Sequence, residues 1–295
     1  MMLFKGSGVA IVTPFKENGE INYPEMEKLL DFHLSNDTDA IIVAGTTGEA
    51  SAMTDEEQVE LIDFTVKKIN HRIPVIAGAG SNDTRHGVGL TKMCCDTGID
   101  GLLQVTPYYN KTTQEGLMAH FEAIADASTV PIILYDVPGR TGMSIEPRTV
   151  KRLSEIDGIC GLKDATGNIS YTIEVKRLVG DDFAIYSGND DIVVPLLAAG
   201  GHGVISVAAN CVPKEFHELC AKFFRGDLEG SLEIQLKYKE WIDALFYEVN
   251  PIPVRKALEL MGYRIGDPRL PLVKASKSCE KELKRTMIEA GIIHG

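Results

Sequence analysis

Short apolar segments that favour β-structure alternate along the chain with stretches in which apolar residues recur at helical spacing. Segments of this kind, bounded by glycine, proline and asparagine, are typical of buried strands. The pattern predicts eight strands, which begin at the residues given in parentheses: GVAIVTPF (Gly8), DAIIVAGTTGE (Asp39), PVIAGAG (Pro74), DGLLQVTPYYN (Asp100), PIILYDVPGRTG (Pro131), GICGLKDATGN (Gly158), FAIYSGND (Phe183) and GVISVAAN (Gly203).

Helical spacing is clear between these segments. After Pro24, apolar residues recur at three- and four-residue intervals, which predicts a helix with one buried face. The residues of that face are Met26, Leu29, Leu30, His33 and Leu34. A second helix is predicted to begin with a capping box from Thr54 to Glu57, and its apolar face is expected to contain Val59, Ile62, Val66 and Ile69.

The alternation of strand and helix predicts the fold class. Nearly continuous apolar strands joined by helices indicate a parallel sheet that is buried on both faces. Eight such units favour an α/β fold of the (β/α)₈ TIM-barrel type, and a doubly wound open sheet stays as the alternative. After Arg225 only helical patterns follow, including NPIPVRKALELMG and a last helix from about Ser278 to Ala290. We therefore expect a barrel over residues 1–225 and a small C-terminal all-helical domain over residues 226–295.

Composition narrows the classes of function. Of the 295 residues 44% are hydrophobic, and the formal net charge of −12 opposes binding to nucleic acid or to anionic membranes. No apolar stretch approaches the length of a membrane span, and the first residues lack the pattern of a signal peptide, so we expect a cytoplasmic protein. The six cysteines form no CxxC pair and the seven histidines form no metal-binding pattern, so we expect neither a metal nor another cofactor.

Chemically active side chains follow the predicted strands. In a barrel of this type the active site lies at the carboxyl ends of the strands. Hydroxyl, phenol, guanidinium and amine groups therefore meet on one face of the predicted barrel. The residues that carry them are Thr46, Thr47, Tyr108, Tyr109, Tyr135, Arg140 and Lys163.

Lys163 is the candidate nucleophile. An amine surrounded by Cys160, Leu162 and Ala165 would have its pKa lowered to roughly 7 to 8 and could attack a carbonyl group to form an imine. Tyr135 is the natural proton carrier for such an amine. The alternatives are a lysine that reaches solvent and a tyrosine that only fills the barrel.

Two loops offer sites for anions. The glycines of GTTGE permit a tight turn whose backbone N–H groups could hold a small carboxylate, although the turn lacks the ending of a phosphate-binding loop. Arg140, after a Pro-Gly turn, could bind a carboxylate with two hydrogen bonds, or it could form an ordinary surface ion pair. The GAGSND segment lacks the third glycine of a dinucleotide-binding fingerprint.

The motifs GTTGE, TPYYNKTTQEG, YDVPGRTG, GLKDATGN, YSGND and GVISV, in this order and at strand ends, resemble the pyruvate-dependent class I aldolase family. The resemblance extends to NPIPVRKAL in the helical tail. It implies an imine between Lys163 and pyruvate, whose enamine attacks aspartate semialdehyde in the diaminopimelate route of lysine biosynthesis. It also implies a homotetramer.

The resemblance also implies roles for individual residues. Tyr135, Thr47 and Tyr109 correspond to a proton relay, with Tyr109 reaching into the site of a neighbouring subunit. Thr46 and Thr47 would hold the pyruvate carboxylate, and Arg140 would hold the carboxylate of the aldehyde. The remaining two residues, Gly188 and Ile205, would line the pocket.

Three other functions stay open. A sister aldolase, such as N-acetylneuraminate lyase or a 2-keto-3-deoxy sugar acid aldolase, would share Lys163 and Tyr135 but tends to lack an arginine at Arg140. A catalytically silent binding barrel is a second alternative, although Lys163, Tyr135 and Thr47 are intact. A phosphate-binding barrel enzyme is the third, but the loops after strands seven and eight lack the expected glycines.

One position departs from the family pattern within the predicted site. Asp136 stands where relatives commonly have asparagine. We expect its side chain to point away from the substrate.

A second departure concerns regulation, because many family members are inhibited by lysine bound to a pocket rich in histidine and with a glutamate. Here the corresponding positions are Asp55, Gln58 and His86, while Asn82 and Tyr108 are retained. We expect inhibition by lysine to be weak or absent. A steady-state assay would contradict this prediction if submillimolar lysine inhibited the enzyme strongly.

Overall fold

Eight parallel strands close into a barrel in the computed structural model, which describes residues 2–295. Each strand pairs with the next along the chain, and the last pairs with the first, with Ser7 opposite Val204. The (β/α)₈ barrel is confirmed and the open sheet is excluded. The strands are β1 (Gly6–Ala10), β2 (Ala40–Val43), β3 (Val75–Gly78), β4 (Gly101–Val105), β5 (Ile132–Asp136), β6 (Ile159–Asp164), β7 (Ala184–Ser187) and β8 (Gly203–Ser206).

Helices surround the barrel and continue beyond it. They are α1 (Tyr23–Leu34), α2 (Asp55–Ile69), α3 (Thr84–Cys95), α4 (Gln114–Ala127), α5 (Pro138–Thr141), α6 (Pro147–Leu153), α7 (Ile169–Leu178), α8 (Val193–Ala198), α9 (Pro213–Phe224), α10 (Leu228–Ala244), α11 (Ile252–Leu260) and α12 (Lys277–Glu289). After Arg225 the described chain contains helices and no strand, as the sequence predicts. The division into separate domains at this point stays a prediction. Within residues 2–295, no helix combines the length and the apolar character that crossing a bilayer requires.

The predicted capping box at the start of α2 is present. The Glu57 N–H donates to the Thr54 hydroxyl at 3.2 Å, and the Thr54 N–H donates to the Glu57 carboxylate at 3.1 Å. The predicted buried face of α2 needs correction, because Gln58 and Thr65 are buried on it while Val59 and Val66 are only half-buried. These two polar side chains are buried because each donates to a main-chain carbonyl, Gln58 to Gly78 and Thr65 to Leu61.

Apolar side chains form two layers, one inside the barrel and one between the barrel and its helices. Successive residues of a strand point to opposite faces, so each strand contributes to both layers. The inner layer includes Ala10, Ile42, Ile76, Leu103, Ile133, Tyr135, Tyr186 and Ile205. The outer layer includes Val9, Ile41, Val43, Leu102, Leu134, Leu162, Ile185 and Val204.

An irregularity in β6 determines which way its lysine points. Ile132 of β5 pairs with Ile159, but Ile133 pairs with Gly161, so Cys160 is an extra residue in β6. In a regular strand with the same residues, the alternation that begins with the outward Ile159 would turn Lys163 outward as well. The extra residue moves Leu162 to the outer layer and Lys163 to the interior, which is the usual effect of a β-bulge beside an active site.

A buried ion pair connects the helical tail to the loop after β2. Arg255 of α11 donates to Glu49 at 2.7 Å, and both side chains are almost fully buried. The same guanidinium donates to the carbonyls of Thr13, Ile265 and Gly266. Because an unpaired buried charge is costly, these contacts hold the tail and the loop in one arrangement.

Replacing Arg255 with methionine should lower the free energy of unfolding by about 3–5 kcal/mol, because Glu49 would keep a buried charge without its partner. Urea denaturation followed by circular dichroism measures the loss. Lys239→Met is the matched control, since Lys239 and its partner Asp243 are about half exposed and such pairs contribute about 0–1 kcal/mol. Equal effects of the two substitutions would contradict the assignment of a structural ion pair.

Candidate active site

Lys163 and Tyr135 lie side by side inside the barrel at its carboxyl-terminal end. They are register partners on β6 and β5, and both side chains point inward. The Lys163 Nζ lies 4.2 Å from the centre of the Tyr135 ring. The two residues that the sequence proposes for imine formation and proton transfer are therefore in contact.

The Lys163 amine is prepared for nucleophilic attack by its burial. Only 6% of the residue is exposed, and burial lowers the pKa of its amine to about 8. Asp190 opposes this shift with its negative charge, while the Arg140 guanidinium adds to it. With a pKa of about 8, roughly one lysine in ten carries a neutral amine at pH 7.

Asp190 is a functional candidate that the sequence analysis missed. It follows β7, is 2% exposed, and accepts hydrogen bonds from the N–H groups of Val207 (3.0 Å) and Ala208 (2.8 Å). Burial raises the pKa of its carboxyl to about 6, and the Ser206 hydroxyl and those two N–H groups oppose the shift. At neutral pH the group is mostly ionised, and it supplies negative charge to the surroundings of Lys163. The sequence offered one signal for this residue, namely its position shortly after the end of β7.

Tyr135 keeps its proton at neutral pH. Burial raises the pKa of its phenol, while Arg140 and the Thr46 hydroxyl lower it. Asp136 raises it further by its charge, although the Asp136 side chain lies on the outer face of β5 and accepts from the Ile145 N–H at 3.1 Å. Tyr135 can therefore give a proton to a reacting atom and recover it.

The GTTGE turn after β2 presents its two threonines differently. Thr46 is exposed and Thr47 is 2% exposed. The Thr47 hydroxyl accepts a hydrogen bond from the side chain of Asn250 at 3.1 Å. Asn250 lies between α10 and α11 and is the first residue of the NPIPVRKAL motif, to which the sequence analysis assigns no role in the site.

Two predicted lining residues border the same interior. A Cβ atom on Gly188 would lie 3.1 Å from the Lys163 Cε and 2.6 Å from the Ala165 Cβ, so only glycine leaves the lysine its space. Ile205 is fully buried on the inner face of β8.

Arg140 lies at the entrance to the site. The predicted turn around it is the short helix α5, and Arg140 itself is exposed. Its guanidinium donates to the backbone carbonyl of Asn250 at 2.9 Å, which contradicts a side chain engaged only in a surface ion pair.

Tyr109 does not join the other residues within one chain. It is 95% exposed and has a φ of 68°, a backbone conformation that few non-glycine residues adopt. A strained backbone that holds a large aromatic ring in solvent is a feature that stability of the single chain does not explain.

The residues that the sequence analysis compares with a regulatory pocket lie near the starts of α2 and α3. His86 bonds to the carboxylate of Asp55 at 2.9 Å and to the Ser81 hydroxyl at 2.9 Å. Asn82 donates to the carbonyl of Tyr108 at 3.1 Å. A carboxylate therefore occupies one side of this group, while Gln58 is turned inward to Gly78.

Over residues 2–295, no group of three or more histidine, cysteine, aspartate or glutamate side chains is arranged to hold a metal ion.

Comparisons with known proteins find relatives that match almost the whole chain. The model of the dihydrodipicolinate synthetase family matches residues 3–290. The 4-hydroxy-tetrahydrodipicolinate synthase of Alkaliphilus oremlandii is 54% identical over 291 residues, which are 99% of this chain and 100% of that protein.

Solved structures of relatives also match nearly the whole chain. The dihydrodipicolinate synthase of Thermotoga maritima has a TM-score of 0.97 at 43% identity and covers 99% of this chain and 100% of its own. The enzyme of Cyanidioschyzon merolae, solved with lysine bound, has a TM-score of 0.97 at 41% identity, with coverage of 99% and 100%.

The reactivity of the Lys163 amine should increase through a midpoint near pH 8, below the ordinary value of about 10.4 for a lysine. Below the midpoint the amine is protonated and inert, and above it the neutral amine predominates. Trace acetylation at a series of pH values, followed by peptide mass spectrometry, measures the midpoint, with the exposed Lys67 as the reference for reagent strength. A midpoint above pH 10 would contradict the effect of burial.

Proposed function

The chain belongs to the dihydrodipicolinate synthetase family, and we propose that it is a 4-hydroxy-tetrahydrodipicolinate synthase that condenses pyruvate with L-aspartate 4-semialdehyde. One observation carries the proposal, namely a buried lysine with its pKa lowered to about 8 beside a tyrosine that holds its proton. The reaction would serve lysine biosynthesis through diaminopimelate.

The first step is formation of an imine. The neutral Lys163 amine attacks the ketone carbon of pyruvate, and the carbonyl oxygen leaves as water after it receives protons. We assign the transfer of those protons to Tyr135, and the contact of its ring with the attacking nitrogen supports this role. Because Gly188 has no side chain, the aliphatic part of Lys163 can lie against its backbone.

The carboxylate of pyruvate needs donors close to Lys163. Backbone N–H groups of the GTTGE turn and the hydroxyls of Thr46 and Thr47 are such donors at the end of β2. The turn is held in place because the Thr13 hydroxyl donates to the carbonyl of Gly48 at 2.7 Å. A fixed set of donors orients the ketone toward the lysine without reorganisation on binding.

The protonated imine then acts as an electron sink. Loss of a proton from the methyl group of pyruvate gives the enamine. Its terminal carbon attacks the aldehyde carbon of the second substrate, and the aldehyde oxygen takes up a proton to become a hydroxyl group. The amino group of that substrate attacks the imine carbon, closes the ring and releases Lys163 as the free amine. The negative charge of Asp190 stabilises the positively charged imine between these steps.

Arg140 is the group at the entrance that suits the carboxylate of the aldehyde substrate. Its contact with the Asn250 carbonyl uses one nitrogen, Nη2, and leaves further N–H groups free to donate. This arrangement favours the synthase over the sugar-acid aldolases, whose aldehydes carry hydroxyl groups in place of a carboxylate and an amine.

We propose that the enzyme acts as a homotetramer in the cytoplasm. The exposure of Tyr109 supports assembly, because a ring that leaves its own chain can complete the relay of a neighbouring subunit. The six cysteines are all unpaired, which suits a reducing compartment.

Incubation with pyruvate followed by borohydride reduction should add one pyruvyl group to the protein, and peptide mapping should place it on Lys163. Lys163→Ala should abolish the adduct, whereas the matched control Lys67→Ala should retain it. Condensation should then occur with aspartate semialdehyde in preference to sugar aldehydes. An unmodified Lys163 in folded protein would refute imine catalysis, and faster condensation with a sugar aldehyde would favour a sister aldolase.

A further inference from the structure

Arg140 lies in a segment between β5 and α6 that we call the Arg140 loop (residues 137–146). Its first half contains the short helix α5, and its second half, residues 143–146, has no regular secondary structure. Within the described residues 2–295, the N–H groups of residues 143–146 donate to no main-chain carbonyl. The geometry of this half of the loop therefore depends on contacts with side chains.

Gln114, the first residue of α4, supplies two of these contacts. Its side-chain Nε2 donates to the carbonyl of Ser144 at 3.0 Å, and its Oε1 accepts from the N–H of Glu146 at 3.0 Å. A carbonyl can only accept and an N–H can only donate, so the orientation of the Gln114 amide is fixed by its two partners. One side chain thus holds the backbone on both sides of Ile145.

Ile145 is itself held by two more side chains. The hydroxyl of Tyr171, in α7, donates to the Ile145 carbonyl at 2.8 Å. The carboxylate of Asp136, at the end of β5, accepts from the Ile145 N–H at 3.1 Å, and both of these residues are fully buried. Side chains from α4, α7 and β5 therefore fix the same three consecutive residues, 144–146.

The fixed residues lie close to Arg140 in the chain. The buried Thr141, next to Arg140, donates from its hydroxyl to the carbonyl of Met143 at 3.0 Å. The Arg140 loop starts at the end of β5, and its other end is fixed at residues 144–146. Movement of that second end would therefore displace the backbone that carries the guanidinium.

We propose that Gln114 is a positioning residue that, together with Tyr171, holds the Arg140 loop so that the guanidinium meets the carboxylate of the aldehyde substrate. The proposal rests on the proposed function, in which Arg140 binds that carboxylate. An arginine that is in place before the substrate arrives loses less conformational freedom on binding. The role concerns the second substrate, because the hydrogen bonds of Gln114 lead to the Arg140 loop and not to Lys163.

Gln114→Ala should raise the KM for aspartate semialdehyde about 3- to 30-fold, because two hydrogen bonds that hold the loop are lost. The KM for pyruvate should change less than about twofold, and kcat should change by a smaller factor than the KM for the aldehyde. The control is Asn36→Ala, whose amide also bonds to a main-chain carbonyl but lies after α1. An unchanged KM for the aldehyde, or equal increases for both substrates, would overturn the proposal.

Tyr171→Phe tests the second contact, because it removes the hydroxyl that donates to Ile145 and keeps the ring. The KM for aspartate semialdehyde should rise about 2- to 10-fold, again with little change for pyruvate. Tyr263→Phe is the matched control, since the half-buried ring of Tyr263 packs against Phe32. A KM for the aldehyde equal to that of the control would contradict the part assigned to Tyr171.

Hydrogen exchange followed by mass spectrometry measures the loop directly. In Gln114→Ala the amides of Ile145 and Glu146 should exchange at least about tenfold faster, whereas the amides of β5 should keep their rates. Unchanged exchange in the Arg140 loop would contradict the proposal even if the KM rose. Faster exchange throughout the protein would show general destabilisation and would also overturn it.

A double-mutant cycle with Arg140→Ala tests whether Gln114 acts through Arg140. Once the guanidinium is gone, Gln114→Ala should change the KM for aspartate semialdehyde less than about twofold. If Gln114→Ala raises this KM by the same factor in both backgrounds, Gln114 does not act through Arg140 and the proposal fails.

The wild-type protein distinguishes this failure from failure of the proposed function. Both proposals fail if the wild type forms no pyruvate adduct on Lys163, or if it condenses only sugar aldehydes. If the wild type condenses aspartate semialdehyde and the cycle is additive, the role of Gln114 alone is overturned.

Discussion

The burial of one amine inside the barrel sets the requirements for the rest of the molecule. An ammonium group is expensive to bury, and the charge of Asp190 and the face of the Tyr135 ring offset the charge of Lys163 in part. Burial of the two apolar layers offsets this cost and keeps the strands closed around the amine. In return the amine is partly neutral near physiological pH. The site is therefore a place where the molecule gives up stability for reactivity.

The helical tail completes this site as well as covering the barrel. Asn250 donates to Thr47 in the GTTGE turn and accepts from Arg140 at the entrance. Arg255 holds Glu49, the last residue of the same motif, through a buried ion pair. The tail makes these contacts although it contributes no strand to the barrel. Residues that are remote in sequence thus contact the loops at the carboxyl end of the barrel.

Much of the fold and part of the site could be predicted from local patterns. Alternating strands and helices, the capping box at Thr54 and the position of Lys163 after an apolar strand are all visible within short windows of sequence. The inward orientation of Lys163 was not, because it depends on an extra residue at Cys160 that appears only when β6 pairs with β5. Asp190 and Asn250 were missed because their importance comes from contacts with residues elsewhere in the chain. Local propensity and residue spacing do not reveal such contacts.

The hydrogen bond from Asn250 to Thr47 joins residues 203 positions apart, and the ion pair from Arg255 to Glu49 joins residues 206 positions apart. Contacts of such sequence separation cost more loop-closure entropy to form than local contacts do. During synthesis on the ribosome, Lys163 emerges well before the segment that completes its surroundings. A reactive amine is thus assembled into a working site only when nearly the whole polypeptide has left the exit tunnel, and a prematurely terminated chain would lack the groups that organise its chemistry.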